Sequence, residues 1–232
     1  MKVLIACEES QRVCIEFRKR GHEAYSCDIQ KCSGGHPEWH ILDNALYVIG
    51  GGNVKLQNGN WLCIDKWDLI IAHPPCTYLS NAATQCHSLK SSPENRIEGR
   101  TIERIKAMDF FMRMIQAPCE KIAVENPIGI MNTAFRAPDQ IIEPYMFAES
   151  KEDAENYVTK RTCLWLKGLQ PLKSNNLPRP DNAKIFGRRP TTGKINNWAE
   201  NYAHGSVNRS KTFPGVAKAM AEQWGNENGI HE

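Results

Sequence analysis

The stretch Asp68-Leu-Ile-Ile-Ala-His-Pro-Pro-Cys-Thr-Tyr-Leu-Ser-Asn81 decides how the rest of the chain is read. Leu69, Ile70, Ile71 and Ala72 form an apolar run that is short and rich in β-branched residues, which predicts a strand buried on both faces. Pro74 and Pro75 end that strand, because proline has no N–H to offer a ladder. Cys76 follows just past the strand's carboxyl end, where open α/β sheets bind their ligands. A cysteine in such a turn either packs as a small apolar group or acts as a nucleophile, and the stretch alone leaves both open.

Towards the amino end, residues 3–6 predict a first parallel strand. Ser10 stands where it can cap a helix running to about residue 20, with Val13, Cys14 and Phe17 inward and Gly21 as the stop. Residues 23–27 return as a second strand closed by Asp28. In nucleotide-binding sheets an acidic residue at that point bonds ribose hydroxyls, and a cap or turn aspartate is the alternative. Residues 34–40 read as loop, followed by Asp43, an apolar pattern to residue 49 and a glycine-rich polar turn. Cys27, Cys32, His36 and His40 have a spacing that raises zinc. Pro37 and two glycines interrupt that cluster and no second half matches it, so no metal is expected.

Towards the carboxyl end, residues 94–116 carry the longest helical pattern, with Ile102, Ile105, Met108, Met112 and Ile115 as the expected core-facing stripe and Pro118 as the stop. Lys121-Ile-Ala-Val-Glu-Asn-Pro127 then repeats the earlier design of apolar strand, polar residues and proline. Two successive parallel strands would deliver Cys76 and the Glu125–Asn126 pair to one edge of a sheet. Residues 140–147 and 162–166 read as later strands forming a hairpin-like end, and Ser150 with Asp153 suggests a short helix to residue 157. A last helix is expected from a Thr212 cap, with Pro214 in its first turn and Val216, Ala217, Met220 and Trp224 on one face.

The 232 residues are enough for one domain with a full core, and the net charge of +3 permits an anionic partner without demanding one. Nine cysteines, an odd number scattered through core-like segments, fit free thiols in a reducing cytoplasm. No secretory signal is read ahead of the first strand, and no apolar run approaches the roughly 20 residues of a membrane helix. Residues 173–211 hold eight Lys or Arg against two acids, with Trp198, Tyr202 and His204 interleaved, which favours nucleic acid over a merely solvated loop.

On these residues the chain resembles the DNA cytosine-5 methyltransferases, in particular their short, phage-type branch, over nearly its whole length. Residues 68–80 are similar to the family's Pro-Cys nucleophile motif, and residues 124–127 to its Glu-Asn-Val motif, with Pro127 in place of valine. Lys160-Arg-Thr-Cys-Leu-Trp-Leu166 resembles the basic strand that usually carries two arginines, and residues 210–220 resemble the closing motif. The resemblance implies an α/β, Rossmann-like S-adenosylmethionine-dependent methyltransferase fold: a mostly parallel sheet with helices on both faces. It implies a single catalytic domain over residues 1–232, in which the basic, loop-rich segment 173–211 stands in place of a full target-recognition domain.

The activity so implied is methyl transfer from S-adenosyl-L-methionine to C5 of a cytosine flipped out of DNA, through a covalent Cys76 adduct. Glu125 would share a proton with the ring N3, its pKa raised in a water-poor pocket, and Asn126 would orient the loop backbone or the base. Lys160 and Arg161 would hold phosphate or the base carbonyl and lower the pKa of Cys76. Ala6, Glu8, Glu9, Ser10, Asp28, Asp43, Pro74 and Ser210 fall at the positions that would surround the methyl donor, with Asp28 on the ribose and Asp43 near the adenine. Arg188, Arg189, Lys194, Arg209 and Lys211 would contact the nucleic-acid backbone. The place of action would be the cytoplasm, that of the host cell if the chain is phage-encoded, and a second copy or a helper protein could supply recognition surface.

The sequence also departs from the family. Ala6-Cys-Glu-Glu-Ser-Gln11 stands where the first motif is glycine-rich, and Thr77 stands where glutamine usually follows the nucleophile. The interval from Cys76 to Glu125 is longer than usual, and the recognition domain is missing. Two alternatives follow: methylation of a free cytidine nucleotide or single strand, and a nucleic-acid-binding relative without activity.

Overall fold

A computed structural model describes residues 1–81, 94–188, 190–195 and 210–226, and for residues 94–98, 185 and 186 the backbone alone. The first half of the chain contributes β1 (Lys2–Ala6), α1 (Arg12–Lys19), β2 (Glu23–Asp28), β3 (His40–Leu42), α2 (Ala45–Val48), β4 (Gly52–Lys55), β5 (Trp61–Ile64) and β6 (Leu69–Ala72). The rest of the chain contributes α3 (Glu94–Ile115), β7 (Ile122–Pro127), α4 (Met131–Ala134), β8 (Gln140–Ile142), β9 (Thr162–Lys167), α5 (Asn182–Phe186) and α6 (Pro214–Trp224). Seven strands form one mixed, largely parallel sheet in the order β3-β2-β1-β6-β7-β9-β8, and β4 and β5 pair separately as a hairpin. The first five are parallel; β9 runs antiparallel to both of its neighbours.

Helices cover both faces, which is why the central strands read as continuous apolar runs. Val3, Ile5, Leu69, Ile71, Ala123 and Leu164 pack under α1 and α6, through Val13, Cys14, Phe17, Val216, Ala217 and Met220. The alternate residues Leu4, Ile70, Ala72, Val124 and Trp165 pack on the other side, against Ala45 and Val48 of α2 and Phe111, Met114 and Ile115 of α3. The chain winds outward from β1 to β3, then returns to the other side of β1 for β6 and β7. The crevice at such a reversal, beyond the carboxyl ends of the strands, is where doubly wound sheets take their ligands.

Several local expectations change. Ser10 does not cap α1: the N-cap is Gln11 in left-handed conformation, and the Glu8 carboxylate accepts the amides of Val13 and Cys14 at 2.7 and 3.2 Å. A carboxylate suits that place because the first helical amides lack partners and the helix dipole favours negative charge there. Of the expected stripe Ile102 and Ile105 are exposed, Met108 and Met112 are partly buried and Ile115 is buried; α3 also buries Phe111 and Met114, so the helix touches the sheet along its last turns. Residues 140–147 are not one strand: β8 stops at Ile142 and a 3-10 turn occupies Pro144–Phe147. Residues 150–157 make turns rather than a helix, and α6 follows Phe213, which gives no side-chain cap, while the Thr212 carbonyl accepts from Arg12 Nη1 at 2.9 Å.

Candidate functional site

The carboxyl edge of the sheet collects several chain segments, each by a different device. After β1 the backbone enters the left-handed region at Cys7 (φ 61°) and again at Gln11 (φ 59°), conformations that glycine adopts without strain and other residues rarely do. The strain is held by outside bonds. The buried Gln11 side chain donates through Nε2 to His36 O (2.9 Å) and Ser26 Oγ (3.2 Å), and its Oε1 accepts from His36 N (3.0 Å). The loop therefore takes a glycine-like path without glycine, because residue 11 is clamped to residue 36.

After β6, His73 still donates its backbone N–H to Ala6 O at 2.9 Å before Pro74 ends the pairing. Cys76 then opens a tight turn in which its carbonyl accepts from Leu79 N and Ser80 N, and its side chain lies in an exposed position. The turn is tied to the segment after β7 by Asn81 N to Ile128 O (3.1 Å) and Ile130 N to Leu79 O (2.8 Å). At Gly129 a Cβ would run into the Leu79 carbonyl, so glycine is needed for this close approach.

The register Ala72↔Val124 puts the tips of β6 and β7 side by side. Asn126, buried near the end of β7, donates through Nδ2 to Pro74 O at 2.7 Å and so fixes the loop that carries Cys76. Glu125 Oε2 lies 2.9 Å from His73 Nδ1, with the two side chains 18% and 10% exposed. Burial alone would raise the pKa of Glu125, but the hydrogen bond to His73 and the charges of His73 and Lys160 hold it below the ordinary carboxylate value. Burial would likewise depress His73, but Glu125, with Glu8 behind it, raises its pKa. The raised Glu125 pKa expected from the sequence is thus reversed.

Lys160 arrives because β9 is antiparallel: its amino end, not its carboxyl end, lies at this edge. Lys160, Thr162, Lys211, Thr212 and Phe213 line a cavity of about 20 Å³ beside Glu125, the room of roughly one water. Lys160 Nζ also stands 5.5 Å from the centre of the Phe213 ring. Lys211, expected on the basic surface, is thus part of the wall next to Glu125, whereas Arg161 is exposed.

On the other flank, Asp28 ends β2 and accepts from Gln30 N at 2.9 Å, as a turn aspartate does; burial raises its pKa. Asp43 follows β3, accepting from Asn44 N at 2.7 Å, and its backbone N–H reaches Asp28 O at 3.1 Å. Glu9 Oε1 is buried and has no hydrogen-bond partner among the described residues. Ala6, Glu8 and Ser10 are buried, Pro74 is buried beneath the Cys76 turn, and Ser210 opens the segment that leads to Lys211. Three of the four suspected zinc residues make other contacts: His40 Nδ1 lies 2.8 Å from Ser26 Oγ, His36 Nδ1 3.0 Å from Glu38, and Cys27 Sγ 3.3 Å from Asp43 O. Arg188 and Lys194 are exposed, with Arg188 Nη1 donating to Gly193 O at 3.0 Å. Arg189, Trp198, Tyr202, His204 and Arg209 lie outside the described residues.

No family model and no curated protein matches the chain. Among the described residues, no helix is long and apolar enough to cross a membrane. His73 is the residue that sequence reasoning passed over. Its signal was its position: a titratable side chain at a strand tip, one residue before the proline that ends the strand.

Proposed function

We propose that the chain is an S-adenosylmethionine-dependent methyltransferase that methylates C5 of cytosine in DNA through a covalent Cys76 adduct. The observation that carries this reading is the junction of the β6 and β7 tips, where Asn126 holds the Cys76 loop by Pro74 O and Glu125 stands beside it. Cytosine C5 becomes nucleophilic once a thiolate adds at C6 and the ring N3 takes up a proton. Cys76, exposed on its turn, supplies the sulfur; Glu125 addresses N3; Lys160 adds positive charge beside Glu125. Asn126 keeps nucleophile and carboxyl in register.

The flank between β1 and β2 fits the methyl donor. The left-handed backbone at Cys7 and Gln11 opens the approach that glycines usually provide, and the orphaned Glu9 Oε1 is a buried acceptor suited to a hydroxyl or amino group. Asp28 at the end of β2 stands where ribose hydroxyls are bonded in such sheets. When bound, S-adenosylmethionine supplies the methyl group.

The test is transfer of labelled methyl to duplex DNA, single strands and dCMP under one set of conditions, with a 5-fluorocytosine duplex as covalent trap. The expected result is transfer to duplex and a trapped complex that Cys76→Ser abolishes, a loss of at least about 10³-fold. Transfer to dCMP alone would move the reading to a nucleotide substrate. Folded wild-type protein that neither transfers nor traps would overturn it.

A further inference from the structure

We propose that His73 and Glu125 hold one proton between them, and that this pair, not the carboxyl alone, delivers the proton to N3 of the target cytosine. The proposal rests on the methyltransferase reading above. It starts from a conflict within the site. A lone carboxyl that protonates a base at neutral pH needs to keep its own proton, and burial would let it. Here His73 Nδ1 sits 2.9 Å from Oε2, and Lys160 adds positive charge from the start of β9, so Glu125 stands as a carboxylate. The missing proton is one hydrogen bond away.

The groups facing His73 come from three elements. Glu125 on β7 is bonded to it, Glu8 after β1 acts on it through its charge in the same sense, and Lys160 before β9 opposes them. Glu8 is committed to the amides of α1, which leaves Glu125 as the partner that exchanges the proton. His73 Nε2 is buried with no partner among the described residues, and a buried orphan of this kind is rare outside strained or functional sites. The large majority of buried side-chain nitrogens have a partner.

Cys76 thiolate forms a bond to C6, and the displaced electron pair leaves N3 basic. The Nδ1–H bond of His73 breaks as Glu125 gains that proton, and Glu125 passes it on to N3. The products are a neutral imidazole, the Glu125 carboxylate and a neutral adduct, so the net charge of the site is unchanged. His73 acts through Glu125 and is a positioning residue.

Two measurements test this. In the first, the imidazole of His73 is titrated by ¹⁵N NMR in the free protein. It should titrate above the ordinary value of about 6.5, and Glu125→Gln should bring it to that value or below. A His73 that titrates at or below about 6.5 in the wild type would sink the pair. In the second, His73→Asn keeps an N–H directed at Glu125 but cannot store a proton. The ratio of wild-type to variant single-turnover rates cancels the titration of Cys76. That ratio should be about a hundredfold near pH 7 and fall towards one as the pH drops into the carboxyl range. A ratio independent of pH, with an unaltered melting curve, would reduce His73 to a structural role. Absence of transfer in the wild type removes the function and the delivery step together, while the NMR titration decides the pair independently.

Discussion

The two edges of the sheet differ in a way that volume alone would misjudge. The amino edge carries a groove of about 610 Å³ lined by Met1, Lys66, Asp68, Cys119, Glu120, Lys121 and Lys167. The carboxyl edge has a cavity of about 20 Å³ beside Glu125. Yet the nearly buried His73–Glu125 pair, the left-handed residues and the orphaned acceptor all lie at the carboxyl edge. At the amino edge Lys66, Glu120 and Lys167 are exposed, and Asp68 is occupied by Lys2 N at 2.7 Å. Charges left in water need no special partner; charges drawn into a low-dielectric interior persist only where the fold provides one. The carboxyl edge is therefore where chemistry is sought, whatever the larger groove holds.

The contrast can be broken first at Glu125. On the proposed methyltransferase reading, Glu125→Gln should lower methyl transfer by about 10²- to 10⁴-fold, because the site would lose its route for a proton to the base. The same variant has a pH signature in stability. The folded pKa of Glu125 is depressed, so its contribution is present above the unfolded value of about 4.3 and lost as pH falls through the folded one. The folded pKa of His73 is raised, so its contribution is present below about 6.5 and lost as pH rises through the folded value. The Tm difference between wild type and Glu125→Gln should be widest between about pH 4.5 and 6.5 and narrow on either side. A difference constant from pH 3 to 10 would mean that the two groups do not interact.

A smaller effect is expected at Asn126. Asn126→Ala leaves the buried Pro74 carbonyl without its donor, which should cost about 1–3 kcal/mol of stability in denaturant titration and slow transfer by releasing the Cys76 loop. Full activity in that variant would show that the loop is held by its other bonds. The smallest effect belongs to the opposite edge: Lys66→Ala should change stability by less than about 0.5 kcal/mol and leave transfer unaltered. A large loss of transfer there would mean that the amino edge takes part, and the comparison would have to be redrawn.

Much of the scaffold was legible because its signals are local. The apolar runs of β1, β6 and β7 report strands without reference to anything distant, and Pro74 and Pro127 mark the ends of the latter two. Two failures share a different cause. Ile102 and Ile105 follow the helical stripe but are exposed, because which turns of α3 meet the sheet depends on where the helix crosses it. The first loop lacks glycine yet adopts a glycine-like backbone, because Gln11 is clamped by His36, 25 residues away.

What the sequence by itself determined about this protein is the run of main elements β1, α1, β2, β6, α3, β7, β9 and α6 and the delivery of Cys76, Glu125 and Asn126 to strand ends, since strand length, period and proline stops act over a few residues. Only the tertiary structure decided that His73 meets Glu125 across 52 residues of chain, and that an antiparallel β9 turns Lys160 towards them. Such meetings are set by strand order and register, which arise from packing the whole sheet between its two layers of helices. The charge state of Glu125 follows from that packing, because it depends on neighbours that no local stretch of sequence contains.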